Sequence, residues 1–460
     1  MSINEINNEK ELIILSNQLN YEYINSLLNL LNKQNNKLSY VILWILINLS
    51  YIDKNEVIFS ENFDIIYKIS SFLGKNKSNK ILTYRGILLL KNISAYNLKV
   101  RQILLKYNIL QYFIEIYEKY NLDNKFVNKL LSCIGNFIIN PYKEFIKEYI
   151  SIFKIIKTQL NPSTSIKYLD KYLFFIFNLF LLNSKEIIKE MIKEDIFKNL
   201  INIYPFEESN NKIVNEENFI SKDDEEENKK HYYNIKLLIL KVLGKLLSFD
   251  EEIEETIIQK MIDFDIIHFL NKIIDTSNND FKIIKNVAFC LSNLSTGNIE
   301  QINKLYNSGI FIKLIKIADI FYKSLKNNLY FKENEREDLS QAFIEICYVF
   351  ALVIINSIYE KLLPLVKYNN YSIIIYLIEG LNLFKDNIIF ADLCLNSFYH
   401  LISYDKNMEE FNSNIRVSEL NASFSEFMDK NGIKSILEYY IINKNNKITK
   451  LAEKLYHSIY

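Results

Sequence analysis

Trp44-Ile-Leu-Ile-Asn48-Leu-Ser50 is the stretch that decides the fold, because the chain writes it again. It returns as Leu88-Leu-Leu-Lys-Asn92-Ile-Ser, Ser132-Cys-Ile-Gly-Asn136-Phe-Ile and Phe174-Phe-Ile-Phe-Asn178-Leu-Phe, then as Phe289-Cys-Leu-Ser-Asn293-Leu-Ser. The first four asparagines lie 44, 44 and 42 residues apart. A period of about 40–47 residues belongs to stacked helical repeats. One such unit cannot bury its apolar face alone, so neighbours must stack into a solenoid. Composition agrees. An all-β protein of 460 residues would need far more turn formers than 8 Gly and 4 Pro.

A second marker runs out of phase with the first. Short polar breaks open onto apolar helices at Asn108-Ile109, Asp195-Ile196, Asp265-Ile266, Gly309-Ile310 and Gly432-Ile433. Gly, Asn and Asp tolerate the left-handed conformation that ends one helix, and they cap the next. Each unit therefore reads as helix, break, helix, short turn, helix. About eight or nine units fit in one continuous array without a sheet, following a leader at residues 1–20.

The spacing slips where polar residues accumulate. Residues 206–230 carry nine acids and four lysines without apolar periodicity, and read as a disordered acidic insertion (206–231). It separates an N-terminal repeat region, 21–205, from a C-terminal one, 232–460. Further polar stretches fall at 326–338 and 407–423. At the later equivalent positions stand Lys245, Leu352 and His400.

Several chemistries are excluded or unsupported. Lys+Arg and Asp+Glu balance at 55 each, so no net charge drives the chain toward nucleic acid or an anionic membrane. The most apolar stretch, 172–182, is too short to cross a bilayer. The N-terminus has no basic lead into an apolar core. Cys133, Cys290, Cys347 and Cys394 lie in apolar runs with no metal-like spacing, as buried thiols would. The four histidines make no i, i+4 metal pair, and the glycines form no phosphate loop. The expectation is a non-enzymatic protein of the cytoplasm and/or nucleus, with no cofactor, nucleic acid or membrane partner.

The segment Val287-Ala-Phe289-Cys-Leu-Ser-Asn293-Leu-Ser-Thr-Gly297, continuing to Ser308-Gly309-Ile-Phe-Ile-Lys-Leu, resembles an armadillo repeat of the importin-α (karyopherin-α) type. Phe427-Met-Asp-Lys-Asn-Gly432-Ile-Lys-Ser-Ile-Leu resembles that family's closing repeat. The resemblance implies an all-α, right-handed superhelical solenoid whose third helices line a concave groove. It also implies an adaptor for extended segments of partner proteins, in nuclear import. Groove asparagines would bond peptide backbone, and aromatics four residues earlier would flank basic stems. Carried over, the groove is Trp44/Asn48, Asn92, Asn136, Phe174/Asn178, Phe289/Asn293 and Tyr348. Leu88 and Ser132 interrupt the aromatic ladder, so the expected ligand is an extended segment of mixed apolar and basic residues. The alternative is a scaffold that has lost nuclear-signal recognition. Residues 1–20 hold Lys10 as their only cation, so direct importin-β binding through an N-terminal arm is not expected.

Overall fold

The computed structural model describes residues 21–31, 35–51, 63–95, 97–205, 222–249, 251–277, 279–327, 333–412, 423–443 and 446–460. The leader 1–20 and residues 206–221 of the acidic insertion lie outside them. Contacts divide the chain into two compact units, Met1–Ile203 and Tyr204–Tyr460, and each is described by itself. The described residues hold α- and short 3-10 helices and no strand.

The first unit contains α1 (Tyr21–Leu31), α2 (Asn36–Leu49), α3 (Phe63–Lys75), α4 (Lys80–Ala95), α5 (Leu98–Lys106) and α6 (Ile109–Tyr120). It continues with α7 (Asn124–Ile138), α8 (Ile146–Ser151), α9 (Phe153–Gln159), α10 (Ile166–Leu179), α11 (Lys185–Lys193) and α12 (Ile196–Asn202). Helices α2, α4, α7 and α10 are third helices and pack side by side in that order. The cause is visible in α7. Phe126, Val127, Leu130, Leu131, Ile134 and Phe137 recur at three- and four-residue steps and are all buried. Asp123 accepts from the Phe126 N–H and starts the helix.

The second unit contains α13 (Lys222–Leu247), α14 (Glu251–Asp263), α15 (Ile266–Thr276), α16 (Phe281–Leu294), α17 (Ile299–Asn307) and α18 (Ile310–Lys326). Then follow α19 (Glu333–Asn356), α20 (Tyr359–Lys367), α21 (Ser372–Leu383), α22 (Ile388–Asn412), α23 (Phe424–Lys430), α24 (Ile433–Ile442) and α25 (Asn446–Ile459). Here α13, α16, α19, α22 and α25 form the ladder of third helices. The described residues thus hold nine third helices, four in the first unit and five in the second.

The left-handed breaks fall where the sequence put them. Asn108, Asp195, Asp265, Gly309 and Gly432 have φ of 56°, 51°, 62°, 72° and 84°, each just before a second helix. In the eighth repeat Tyr371 takes that position at φ 60°, with no sequence signal to mark it. The abundant tyrosines are partly repeat ties. Tyr120, Tyr142 and Tyr168 hydroxyls donate to the carbonyls of Lys77, Leu98 and Asn124, each 43–44 residues back.

Three expectations need correction. The acidic segment does not stay irregular to residue 231, because α13 begins at Lys222. Likewise α19 begins at Glu333 and α22 runs to Asn412, so parts of two polar stretches are helical extensions of third helices. A longer apolar helix than 172–182 is present, α19. It alone among the described residues is long and apolar enough to cross a membrane. It is packed between α16 and α22, with 61% of its apolar window buried.

Candidate functional site

Each third helix has one stripe that the packing leaves open. In α2 it carries Tyr40, Val41 and Trp44, which are 37%, 48% and 44% exposed. In α4 it carries Ile81, Tyr84, Arg85 and Leu88; in α10, Lys171 and Phe174, the latter 37% exposed. Aligning the four asparagines gives one register. Four residues earlier stand Trp44, Leu88, Ser132 and Phe174, and seven residues earlier Val41, Arg85, Lys129 and Lys171. These positions lie on one helical face.

The asparagine amides are not idle donors. Asn136 Nδ2 donates to the Lys91 carbonyl at 2.8 Å and to Ser94 Oγ at 3.1 Å, both on the preceding third helix. Asn92 Nδ2 donates to Ser50 Oγ at 2.9 Å. Asn293 Nδ2 reaches the Gly244 carbonyl at 3.3 Å and its own helix at Phe289. Asn48 and Asn178 donate to the Trp44 and Phe174 carbonyls of their own helices, and Asn178 is only 9% exposed. Three of the five therefore tie neighbouring repeats. In all five the amide nitrogen already has an acceptor within the protein.

The aromatic candidates divide similarly. Trp44 and Phe174 are open. Phe289 rests against α13, since a Cβ on Gly244 would come within 2.5 Å of its ring. The Tyr348 hydroxyl accepts from Asn387 Nδ2 at 3.3 Å, and its ring meets Phe390 at 5.0 Å. Of the named set, Trp44, Asn48, Asn92, Asn136, Phe174 and Asn178 stand on the first unit's ladder; Phe289, Asn293 and Tyr348 stand on the second's. Where the register puts Leu352, the inter-repeat tie is made four residues later by Asn356, which donates to the Ser295 carbonyl at 3.1 Å.

A cleft of about 330 Å³ opens on the first ladder, among α2, α4 and α7. The Arg85 guanidinium lies 4.7 Å over the Tyr40 ring and bonds its hydroxyl. Lys80 pairs with Asp123 at 2.6 Å on the rim, and Phe126 forms part of the lining beside Tyr84. Sequence reading missed this cleft, because its parts come from three repeats.

Charge on the two ladders differs. Helices α2, α4, α7 and α10 hold eight basic residues and one acid, Asp170. Lys171 reaches back to Asn128 Oδ1 and to Ser132 Oγ at 3.3 Å. Burial and then the Lys91 and Lys129 charges hold its amine below the ordinary lysine range. In the second unit Lys282 pairs with Asp338 and Lys447 with Asp392, each across neighbouring third helices. Glu345, seven residues before Leu352, is pushed up by burial and eased by Lys285. A basic first ladder runs against the basic part of the expected mixed apolar and basic ligand. Among the described residues no group of three His, Cys, Asp or Glu converges to hold a metal, and the four cysteines are buried.

Three helices per repeat, a left-handed residue before most second helices and laddered third helices define an all-α solenoid of the armadillo type. No family model matches the sequence, and no curated protein matches it. Among solved structures, an engineered protein is similar at TM-score 0.60 and 12% identity, covering 96% of this chain and 99% of that one. A chain from work on a phosphorylation switch in the cadherin–β-catenin interaction is similar at TM-score 0.66 and 11% identity, covering 95% of this chain and 75% of that one. Identities this low speak to the fold alone.

Proposed function

We propose that this chain is a non-enzymatic scaffold that binds an extended segment of a partner protein along the third-helix face of its first unit. The open aromatics of that face carry the reading. Tyr40, Trp44 and Phe174 stay exposed on the open stripe of this ladder, together with Val41 and Ile81, and asparagines recur beside them at repeat spacing. Exposed aromatics at regular spacing suit a peptide that is extended and anchored by regularly spaced side chains. Solenoids use such continuous faces for recognition.

A photo-crosslinking residue placed at position 44, at position 174, or at Leu122 tests this in extract of the source cells. Leu122 is 96% exposed in the turn before α7 and serves as the off-face control. Products from 44 and 174 but not from 122, mapping to short segments of the captured protein, are expected. Equal capture at 122, or none at 44 and 174, would overturn the reading.

A second reading, an importin-α-like adaptor in nuclear protein import moving between cytoplasm and nucleus, is favoured by one observation. Glu345 stands three residues before Tyr348 on α19, an acid and an aromatic of the kind that recognise a basic side chain. Binding of a lysine-rich peptide that is lost in Glu345→Gln would support it; unchanged binding would remove that support.

A further inference from the structure

We propose that the ligand of the first unit's face is an acidic extended peptide, whose carboxylates meet Arg85, Lys129 and Lys171 while its apolar residues lie against Tyr40 and Trp44. The proposal rests on the peptide-scaffold reading above and adds the chemistry of the occupant. Three observations carry it. The three cations occupy the same register, seven residues before Asn92, Asn136 and Asn178, on three consecutive packed helices. Neither Lys129 nor Lys171 makes an ion pair among the described residues, and the Lys91 and Lys129 charges weigh on the Lys171 amine ahead of the opposing Asp170. In the second unit the corresponding register positions hold Asn286 and Glu345 rather than cations. A folded surface on which cations outnumber acids is one that an anionic ligand would relieve.

Spacing sharpens the ligand. Packed helices stand about 8–10 Å apart, and a chain extended as a polyproline-II helix advances about 3.1 Å per residue with three residues per turn, which keeps every third side chain on one side. One carboxylate at every third residue therefore matches one cation per repeat. An apolar residue one step beyond Arg85 would reach Tyr40 and Trp44, where Val41 replaces the cation in the register.

Trp44 is the sole tryptophan and stands on this face, so it reports binding directly. The experiment titrates the full chain with three peptides of equal length. Each has an aromatic residue at both ends and Glu, Gln or Lys at every third interior position. The Glu peptide is expected to shift the Trp44 emission and to bind about tenfold tighter than the Gln peptide, from a few half-exposed charge pairs. That advantage should shrink as salt rises. Lys129→Glu/Lys171→Glu should reverse the order of the Glu and Lys peptides. The milder Lys129→Gln/Lys171→Gln, which adds no new charge, should remove the Glu advantage over the Gln peptide. Equal binding of Glu and Gln peptides would overturn the acidic-ligand proposal and leave the scaffold reading standing. Tightest binding by the Lys peptide would overturn it in favour of basic signals. No binding by any of the three would sink the groove reading together with it.

Discussion

The two ladders share a backbone plan and differ in what they leave exposed. Both stack third helices through a continuous buried stripe, and both use asparagine to join one third helix to the next, as Asn136 and Asn293 do. Seven residues before those asparagines they part. The first unit places Arg85, Lys129 and Lys171 there, and the second places Asn286 before Asn293 and Glu345 before Leu352. The lesson is a division of labour along the repeat. Inward positions and the ties fix the array, while a few outward positions set the charge of each face without disturbing it.

If that division holds, core changes should be costly in both halves alike. Phe137→Ala and Phe350→Ala each empty a fully buried site and should cost about 3–5 kcal/mol. Denaturant unfolding monitored by circular dichroism checks this, and a loss below about 1 kcal/mol in one half would break the symmetry. The next effect is confined to the first unit. Arg101 is 5% exposed and donates to the carbonyls of Ser94, Ala95 and Ile139, where α4 and α7 end. Arg101→Met should leave those carbonyls unpaired and cost on the order of 2–3 kcal/mol. Hydrogen exchange should quicken in α4 and α7 and stay unchanged in α19; faster exchange throughout would contradict a local role.

A smaller difference separates two asparagines of the same register. Asn136→Ala breaks two bonds to the neighbouring helix and should cost about 1–2 kcal/mol, whereas Asn48→Ala loses an own-helix contact worth less than about 0.5 kcal/mol. Equal losses in thermal unfolding would mean that the tie does not distinguish them.

The smallest effects are opposite in pH. Lys171 has a folded pKa below its ordinary value, so in the window between the two the unfolded chain holds more protons and stability rises with pH. Lys171→Met should stabilise at pH 7 by less than about 1 kcal/mol, and that gain should fade toward pH 11. Glu345 has a folded pKa above its ordinary value, so in its window the folded chain holds the extra proton and stability falls as pH rises. Glu345→Gln should stabilise at pH 7 and be neutral near pH 4. Melting curves at the paired pH values decide both.

Much of the fold was legible because helical repeats repeat their constraints. The polar breaks at Asn108, Asp195, Asp265, Gly309 and Gly432 had to be left-handed, and only a few residue types tolerate that. Tyr371 escaped because its neighbours Asn369 and Asn370 also carry positive φ, so the turn spreads over three residues. The extensions of α13 and α19 escaped because charged residues read as loop although they also form good exposed helix. Site residues were harder. A motif shows that an asparagine recurs, but which acceptor its amide takes depends on Ser50, Ser94 and Gly244, supplied by another repeat. The cation register at 85, 129 and 171 was written in the sequence at spacings of 44 and 42. It became meaningful once the packing of α4, α7 and α10 placed those positions side by side.

The ties have a mechanical consequence. Asn92 to Ser50, Asn136 to Ser94 and Tyr168 to Asn124 each span 42–44 residues, one repeat and no more. A tensile load along the first unit would therefore meet a series of similar weak links rather than one latch. Such an array lengthens elastically by small rotations between neighbours, then yields one repeat at a time from an end. A ligand spanning several third helices would act as a splint across those joints, so stiffness under load would itself report occupancy.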